Sequence, residues 1–260
     1  MKRILKFNPD KVIGTVIYIV EGQSTEFNLL KTIYGKILSY DYIEQRRGQP
    51  AKFIDNRCPH NRVFVINSSE SNISDISDKD FLENICEYLI NEYGMDLDNA
   101  AKFYIFDRDP GSNTNSELIK YYLRVLAEPY GDDTDYEKGG LLLLSYPAIE
   151  SFVLSNFLED TYKLRFRLGS EMKSFIGEEQ NARVIQQNKI TSETLKFAAN
   201  EFIRYLDYVD TEFDLSNLEK MNMTVFETEE KLFEKEEVYA AVSQLVISLI
   251  YLGIITVNEI

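Results

Sequence analysis

Histidine and cysteine are nearly missing from this chain, and the two shortages remove whole classes of chemistry. Among 260 residues there is one histidine, His60. A His-paired serine or cysteine triad would therefore have to be built on His60, and an HNH-type nuclease is excluded. Cys58 and Cys86 are too few to staple a chain of this length, so free thiols in a reducing cytoplasm are expected. A structural zinc takes four ligands, and Cys58, Cys86 and His60 fall one short. Long apolar runs are missing too. Val238 to Leu252 is broken by Ser243 and Gln244 and is shorter than the roughly 20 residues that span a bilayer, so a buried C-terminal helix and no membrane contact are expected. No basic, apolar leader opens the sequence, and secretion is not expected. Base is also in deficit: 28 Lys and Arg stand against 43 Asp and Glu, a net charge of −15. That argues against a general nucleic-acid binder, whose phosphate contacts need cations.

What is present is the make-up of an ordinary folded protein, with 44% hydrophobic and 27% charged residues, enough to bury the core of one large domain or a domain with a satellite. The excess acid is uneven. Between Asp207 and Glu237 there are eleven acids and three lysines, which reads either as a solvated helical face or as a docking surface for a basic partner.

The patterning alternates. Thr15–Val20 (TVIYIV), Arg62–Asn67 (RVFVIN), Lys102–Phe106 (KFYIF) and Leu141–Ser145 (LLLLS) are short, nearly continuous apolar runs, as strands buried on both faces require. Between and after them, helical spacing appears at Thr25–Leu38, Phe81–Tyr93, Ser116–Leu126 and about Ala148–Phe157. This predicts an α/β fold with a parallel sheet covered by helices. Beyond about Asp160 the pattern becomes mainly helical, with candidates at Glu193–Tyr208, Asn217–Phe226 and Lys235–Leu252. The expected organisation is a catalytic domain over 1–160 and a mainly helical region over 161–260. Neither a P-loop nor a dinucleotide-binding glycine pattern occurs.

Parallel sheets bind ligands outside the carboxyl ends of their strands, and three acidic groups fall there. Glu21 directly follows the first strand in Glu21-Gly22-Gln23-Ser24-Thr25-Glu26, where Gly22 permits a tight turn. Turn and helix-cap chemistry, with Ser24 or Thr25 as cap and Glu26 near the helix dipole, accounts for the same residues equally well. Asp107 ends the third strand in Asp107-Arg108-Asp109-Pro110-Gly111. Two aspartates at i and i+2 beyond a strand can share a hard cation such as Mg²⁺, although Asp, Pro and Gly also make plain polar turns. Glu150 follows the fourth strand, early in a helix. Glu150 reads equally well as a favourable first-turn glutamate, but unrelated turns have no reason to deliver both the Glu21 and the Asp107–Asp109 elements to one rim, so that combination says more than either part.

The EGxxTE element after one strand and the FDRD element after another resemble the Toprim domains of RloB-like and OLD-family nucleases over roughly residues 13 to 158. Pro147 to Glu150 matches the spacing of a further Asn-Pro-x-Phe-Glu element of RloB-like proteins, with Tyr146 in place of the Asn and Ile149 in place of the Phe. The resemblance implies a Rossmann-like Toprim domain and Mg²⁺- or Mn²⁺-dependent processing of DNA or RNA phosphodiesters. It makes Glu21 a general acid/base or metal ligand and Asp107 and Asp109 metal ligands, with Glu26 and Glu150 completing a second metal site. It also implies a role as effector in bacterial anti-phage defence with a separate ATPase partner, since no ATPase motif lies on this chain; a homodimer stays open. A metal pair generates its own hydroxide, so one histidine is no obstacle.

For the nucleic acid, candidate contacts are Arg46 and Arg47 in a local basic cluster, and Lys163, Arg165 and Arg167, which would share a face on an extended strand. Arg108 would steady a scissile phosphate or pair with its neighbouring acids. From a different class, the chain would be a non-catalytic Toprim-like scaffold that docks through its acidic C-terminal helices. A phosphate-accepting receiver is a weaker third reading, lacking an identifiable lysine partner.

Overall fold

A computed structural model describes residues 3–22, 24–43, 50–67, 87, 89–91, 94–111, 115–127 and 139–259. In chain order the elements are β1 (Arg3–Phe7), β2 (Thr15–Val20), α1 (Thr25–Leu30), which continues as a π-helical turn (Lys31–Ile37), β3 (Asp41–Ile43), β4 (Ala51–Ile54), β5 (Arg62–Asn67), β6 (Ala100–Asp107), α2 (Ser116–Ala127), β7 (Leu141–Tyr146), α3 (Glu150–Ser155), β8 (Arg165–Phe166), α4 (Gly169–Gly177), α5 (Glu179–Ala182), α6 (Ser192–Tyr208), α7 (Leu218–Glu236), β9 (Tyr239–Ala240), β10 (Val242–Ser243), α8 (Leu245–Tyr251) and β11 (Ile255–Glu259). The helix expected over Phe81–Tyr93 falls mostly outside the described residues.

The main sheet is mixed, in the order β10-β7-β6-β2-β5-β4-β3. Its centre, β7-β6-β2-β5, is parallel, and β10, β4 and β3 add antiparallel edges. Val16 through Val20 of β2 are buried without a break, which is why that strand is apolar at successive rather than alternate positions. From β2 the chain crosses to β5 on one side, then returns to β6 on the other. Connections therefore leave the carboxyl ends of β2 and β6 in opposite directions, the arrangement that opens a crevice at a sheet rim.

The region after residue 160 is not set apart from this sheet. Leu195, Phe202 and Leu206 of α6 and Val225 and Phe226 of α7 lie in the same buried cluster as β2, β6 and β7. β10 supplies an edge strand beside β7, and β11 pairs with β1. The helix expected over Lys235–Leu252 is interrupted. Glu237 closes α7 in the left-handed conformation (φ 56°), the next residues pair as β9 and β10, and α8 starts only at Leu245. A short apolar run fits a doubly buried strand as well as a helix, and here partners in β8 and β7 decide for strand. No helix among the described residues is long and apolar enough to cross a membrane.

The acidic C-terminal segment is not a purely solvated face. On α7, Glu229 is 1% exposed. Its carboxylate accepts from the Tyr205 hydroxyl (2.7 Å) and the Ala240 N–H (2.8 Å).

Candidate acid site at the carboxyl rim of the sheet

Glu21 and Asp107 meet, although they lie 86 positions apart: the Asp107 backbone N–H donates to Glu21 Oε2 at 2.8 Å. The register explains the encounter. β2 and β6 are paired through Val20 and Ile105, and the ladder runs one residue further, the Glu21 N–H donating to the Ile105 carbonyl at 3.2 Å. Each carboxylate thus leaves its strand at the same level of the sheet, in the crevice between β2 and β6.

Glu26 comes to the site from the first turn of α1, and it is 6% exposed. Its carboxylate folds back onto the turn that follows β2, so closely that a Cβ on Gly22 would stand 2.4 Å from Oε2. Gly22 serves this close approach, which any side chain at that position would disturb. Glu150 arrives from the start of α3 and is 9% exposed. Lys173 of α4 places its Nζ 3.6 Å from Glu150 Oε1. Oε2 of Glu150 is buried with no hydrogen-bond partner among the described residues.

The charges of these neighbouring acids weigh on Asp107 and Glu26. Burial first, then the charges of Glu21, Glu26 and Glu150, push the Asp107 pKa well above the usual carboxylate value, with the Ile149 N–H pulling the other way. Glu26 is also raised, by burial and by Glu150, while the backbone N–H groups of Glu26 and Gly22 and the charge of Lys173 offset part of the rise. Like charges in a poorly solvated crevice cannot all ionise unless a cation joins them. The donors are all hard oxygens, the kind that Mg²⁺ and Mn²⁺ favour. Among the described residues no group of three or more acidic, His or Cys side chains is placed to hold a metal ion together. Mg²⁺ commonly uses one or two carboxylates and keeps several waters, so the Glu21–Asp107 pair alone is a donor set that fits it.

Other predicted residues are placed elsewhere. Asp109 turns to the backbone: Oδ1 accepts from the Gly111 N–H (2.8 Å) and Oδ2 from the Gly169 N–H (3.1 Å) at the start of α4. It fixes the loop after β6 to α4. Arg108 points inward and is 3% exposed. Its Nε and one terminal nitrogen grip both oxygens of Glu230 at 2.9 and 2.8 Å, and it also reaches the Ser116 hydroxyl at 2.8 Å. Of the two roles expected for Arg108, this is pairing, and with an acid of α7 rather than its neighbours. A guanidinium committed inside the fold is not offered to a scissile phosphate.

Lys163, Arg165 and Arg167 do not form a stripe, because no continuous strand carries them. Lys163 lies in a 3₁₀ turn and pairs with Asp160 at 2.8 Å. Arg165 turns onto the carbonyls of Tyr162 and Leu164. Arg167 lies 3.7 Å from Glu237. Arg46 and Arg47 lie outside the described residues. Sequence reasoning missed Lys173, since a lysine on a short helix 23 positions beyond Glu150 carries no local signal.

No family model, no curated protein and no solved structure matches this chain.

Proposed function

We propose that the chain is a metal-dependent nuclease that hydrolyses nucleic-acid phosphodiesters at the Glu21–Asp107 crevice. The observation that carries this reading is the direct Asp107 N–H to Glu21 Oε2 contact, beside acids whose charges help raise the pKa of Asp107 and Glu26. A fold built only for stability gains nothing from gathering like charges, and groups perturbed in this way mark functional sites. The Toprim-like order of the motifs, EGxxTE then FDRD, agrees with it.

In this reading Glu21 and Asp107 hold the ion, with the charge of Glu150 nearby. Bound there, a divalent metal would polarise the phosphoryl oxygens and supply hydroxide at neutral pH. Glu26, held against Gly22, sets the local field and takes up or releases a proton. Lys173, mostly exposed on the outer side of Glu150, is positioned to meet an incoming phosphate. Asp109 keeps the loop after β6 and the start of α4 together, so it positions rather than ligates.

The test is cleavage of single-stranded and duplex DNA and RNA by the purified chain with Mg²⁺ or Mn²⁺. Activity that disappears in Glu21→Gln and Asp107→Asn supports the assignment. Equal cleavage by both variants removes it.

A further inference from the structure

The helix that carries Glu26 ends in an unusual way, and the irregularity creates a second feature. From Lys31 to Ile37 the backbone winds as a π-helix, with the Leu38 N–H bonded to the Ile33 carbonyl five residues back at 2.9 Å. In an α-helix, residues five apart point about 140° away from each other. A π-helical turn, with more residues per turn, brings them closer to one side, and such turns are frequent at functional sites. Here it directs Lys31 and Lys36 into one open groove of about 750 Å³. Tyr42, Gln187 and Asn188 line the same groove, and no carboxylate among the described residues does.

Both lysines are exposed and poised. Lys31 Nζ sits 4.7 Å over the Tyr42 ring, and Lys36 Nζ donates to the Asn188 carbonyl at 2.6 Å. Neither pairs with a carboxylate among the described residues, in a chain of net charge −15. Gln187 closes the groove against the start of α1 by donating to the Thr25 carbonyl at 3.0 Å, one residue before Glu26.

We propose that this groove is the track for a nucleic-acid single strand, with successive phosphates on Lys31 and Lys36 and the strand leading along α1 toward the acid crevice. The proposal rests on the nuclease reading for the substrate's chemistry and deepens it by choosing single strands over duplexes. Two cations in an open groove lined by Tyr40 and Tyr42 suit one backbone, whereas a duplex needs a broader basic surface than this acidic chain offers.

The experiment is fluorescence anisotropy of a labelled oligothymidylate against the full chain in EDTA, so that binding is read without cleavage. Lys31→Glu/Lys36→Glu is expected to weaken binding by roughly tenfold or more and to reduce the slope of log K against log salt by about 1.4, two phosphates' worth for a single strand. Lys31→Arg/Lys36→Arg should retain binding, and Lys231→Glu/Lys235→Glu on α7 should stay within about twofold of the parent. Unlabelled duplex of equal length should compete poorly, and thymidine monophosphate should not compete. The track is overturned if the Lys31/Lys36 reversal binds like the parent, if the α7 control weakens binding as much, or if duplex competes equally. The two readings fail separately. Asp107→Asn should keep oligonucleotide binding while losing cleavage. Binding lost in the Lys31/Lys36 reversal without any parental cleavage would leave the track and remove the nuclease.

Discussion

Glu229 on α7 is buried as deeply as Glu26 and Glu150 at the sheet rim, yet the two regions treat their acids in opposite ways. Around α7, every buried carboxylate has donors: Tyr205 and the Ala240 N–H on Glu229, and Arg108, Ser116 and Tyr239 on Glu230. At the rim, carboxylates from the end of β2, from α1, β6 and α3 lie close enough that their charges raise the pKa of Asp107 and Glu26, and the largely exposed Lys173 stands 3.6 Å from Glu150. Satisfied buried acids tie elements together. Acids that repel one another lower stability, and they persist where a bound cation restores the balance.

The largest expected effect separates the two regions by activity against stability. Asp107→Asn should lower cleavage on the order of 10³-fold while raising the melting temperature, because it removes the most strongly repelled charge of the rim. A variant that loses activity and stability together would place Asp107 with the α7 acids.

Glu230→Ala should do the reverse in urea denaturation. It leaves the buried Arg108 guanidinium without its bidentate partner, at a cost of about 3–5 kcal/mol. Cleavage per folded molecule should fall far less, and a loss below about 1 kcal/mol would contradict the clamp.

Glu229 offers a pH test. Burial raises its pKa to about 7, with the hydrogen bonds from Tyr205 and Ala240 and the charge of Arg165 holding it down. The folded state therefore binds the proton more tightly than the unfolded state does. Stability from this group should fall as pH rises from the ordinary glutamate value toward about 7 and then level off. The difference between parent and Glu229→Gln in urea denaturation should carry that slope, at most about 3 kcal/mol in all. A flat difference across that window would remove the assignment.

Gly22→Ala is the finest probe. Its Cβ would fall 2.4 Å from Glu26 Oε2, which displaces a flexible carboxylate rather than the backbone. Stability should change by less than about 1 kcal/mol, with a several-fold loss in Mn²⁺ affinity. Unchanged affinity would exclude Glu26 from the field around the ion.

Much of this comparison was legible in the sequence on one side only. The central strands were readable because both-face burial leaves continuous apolar runs: Thr15–Val20 and Arg62–Asn67 have the bounds expected of them. Their parallel order then put Glu21 and Asp107 on one rim. The α7 side was not readable, because Arg108, Glu230 and Tyr239 are brought together only by tertiary packing. In the sequence Glu229 and Glu230 look like any other members of an acidic run. For Asp109, adjacency to Asp107 suggested a shared ion but gave no sign that its oxygens accept from the backbone N–H groups of Gly111 and Gly169. The edge strands β8, β9 and β10 escaped because two-residue strands show no period. The π-helical turn escaped because its composition is that of an ordinary amphipathic helix.

The repelling rim makes its most direct demand on calorimetry. Titrating Mg²⁺ or Mn²⁺ into the chain near neutral pH, in buffers of different ionisation enthalpy, should give saturable binding that releases protons from the crowded carboxyls, and Asp107→Asn should abolish it. Absence of saturable binding, or identical binding in the variant, would contradict the claim that these acids are gathered for a cation.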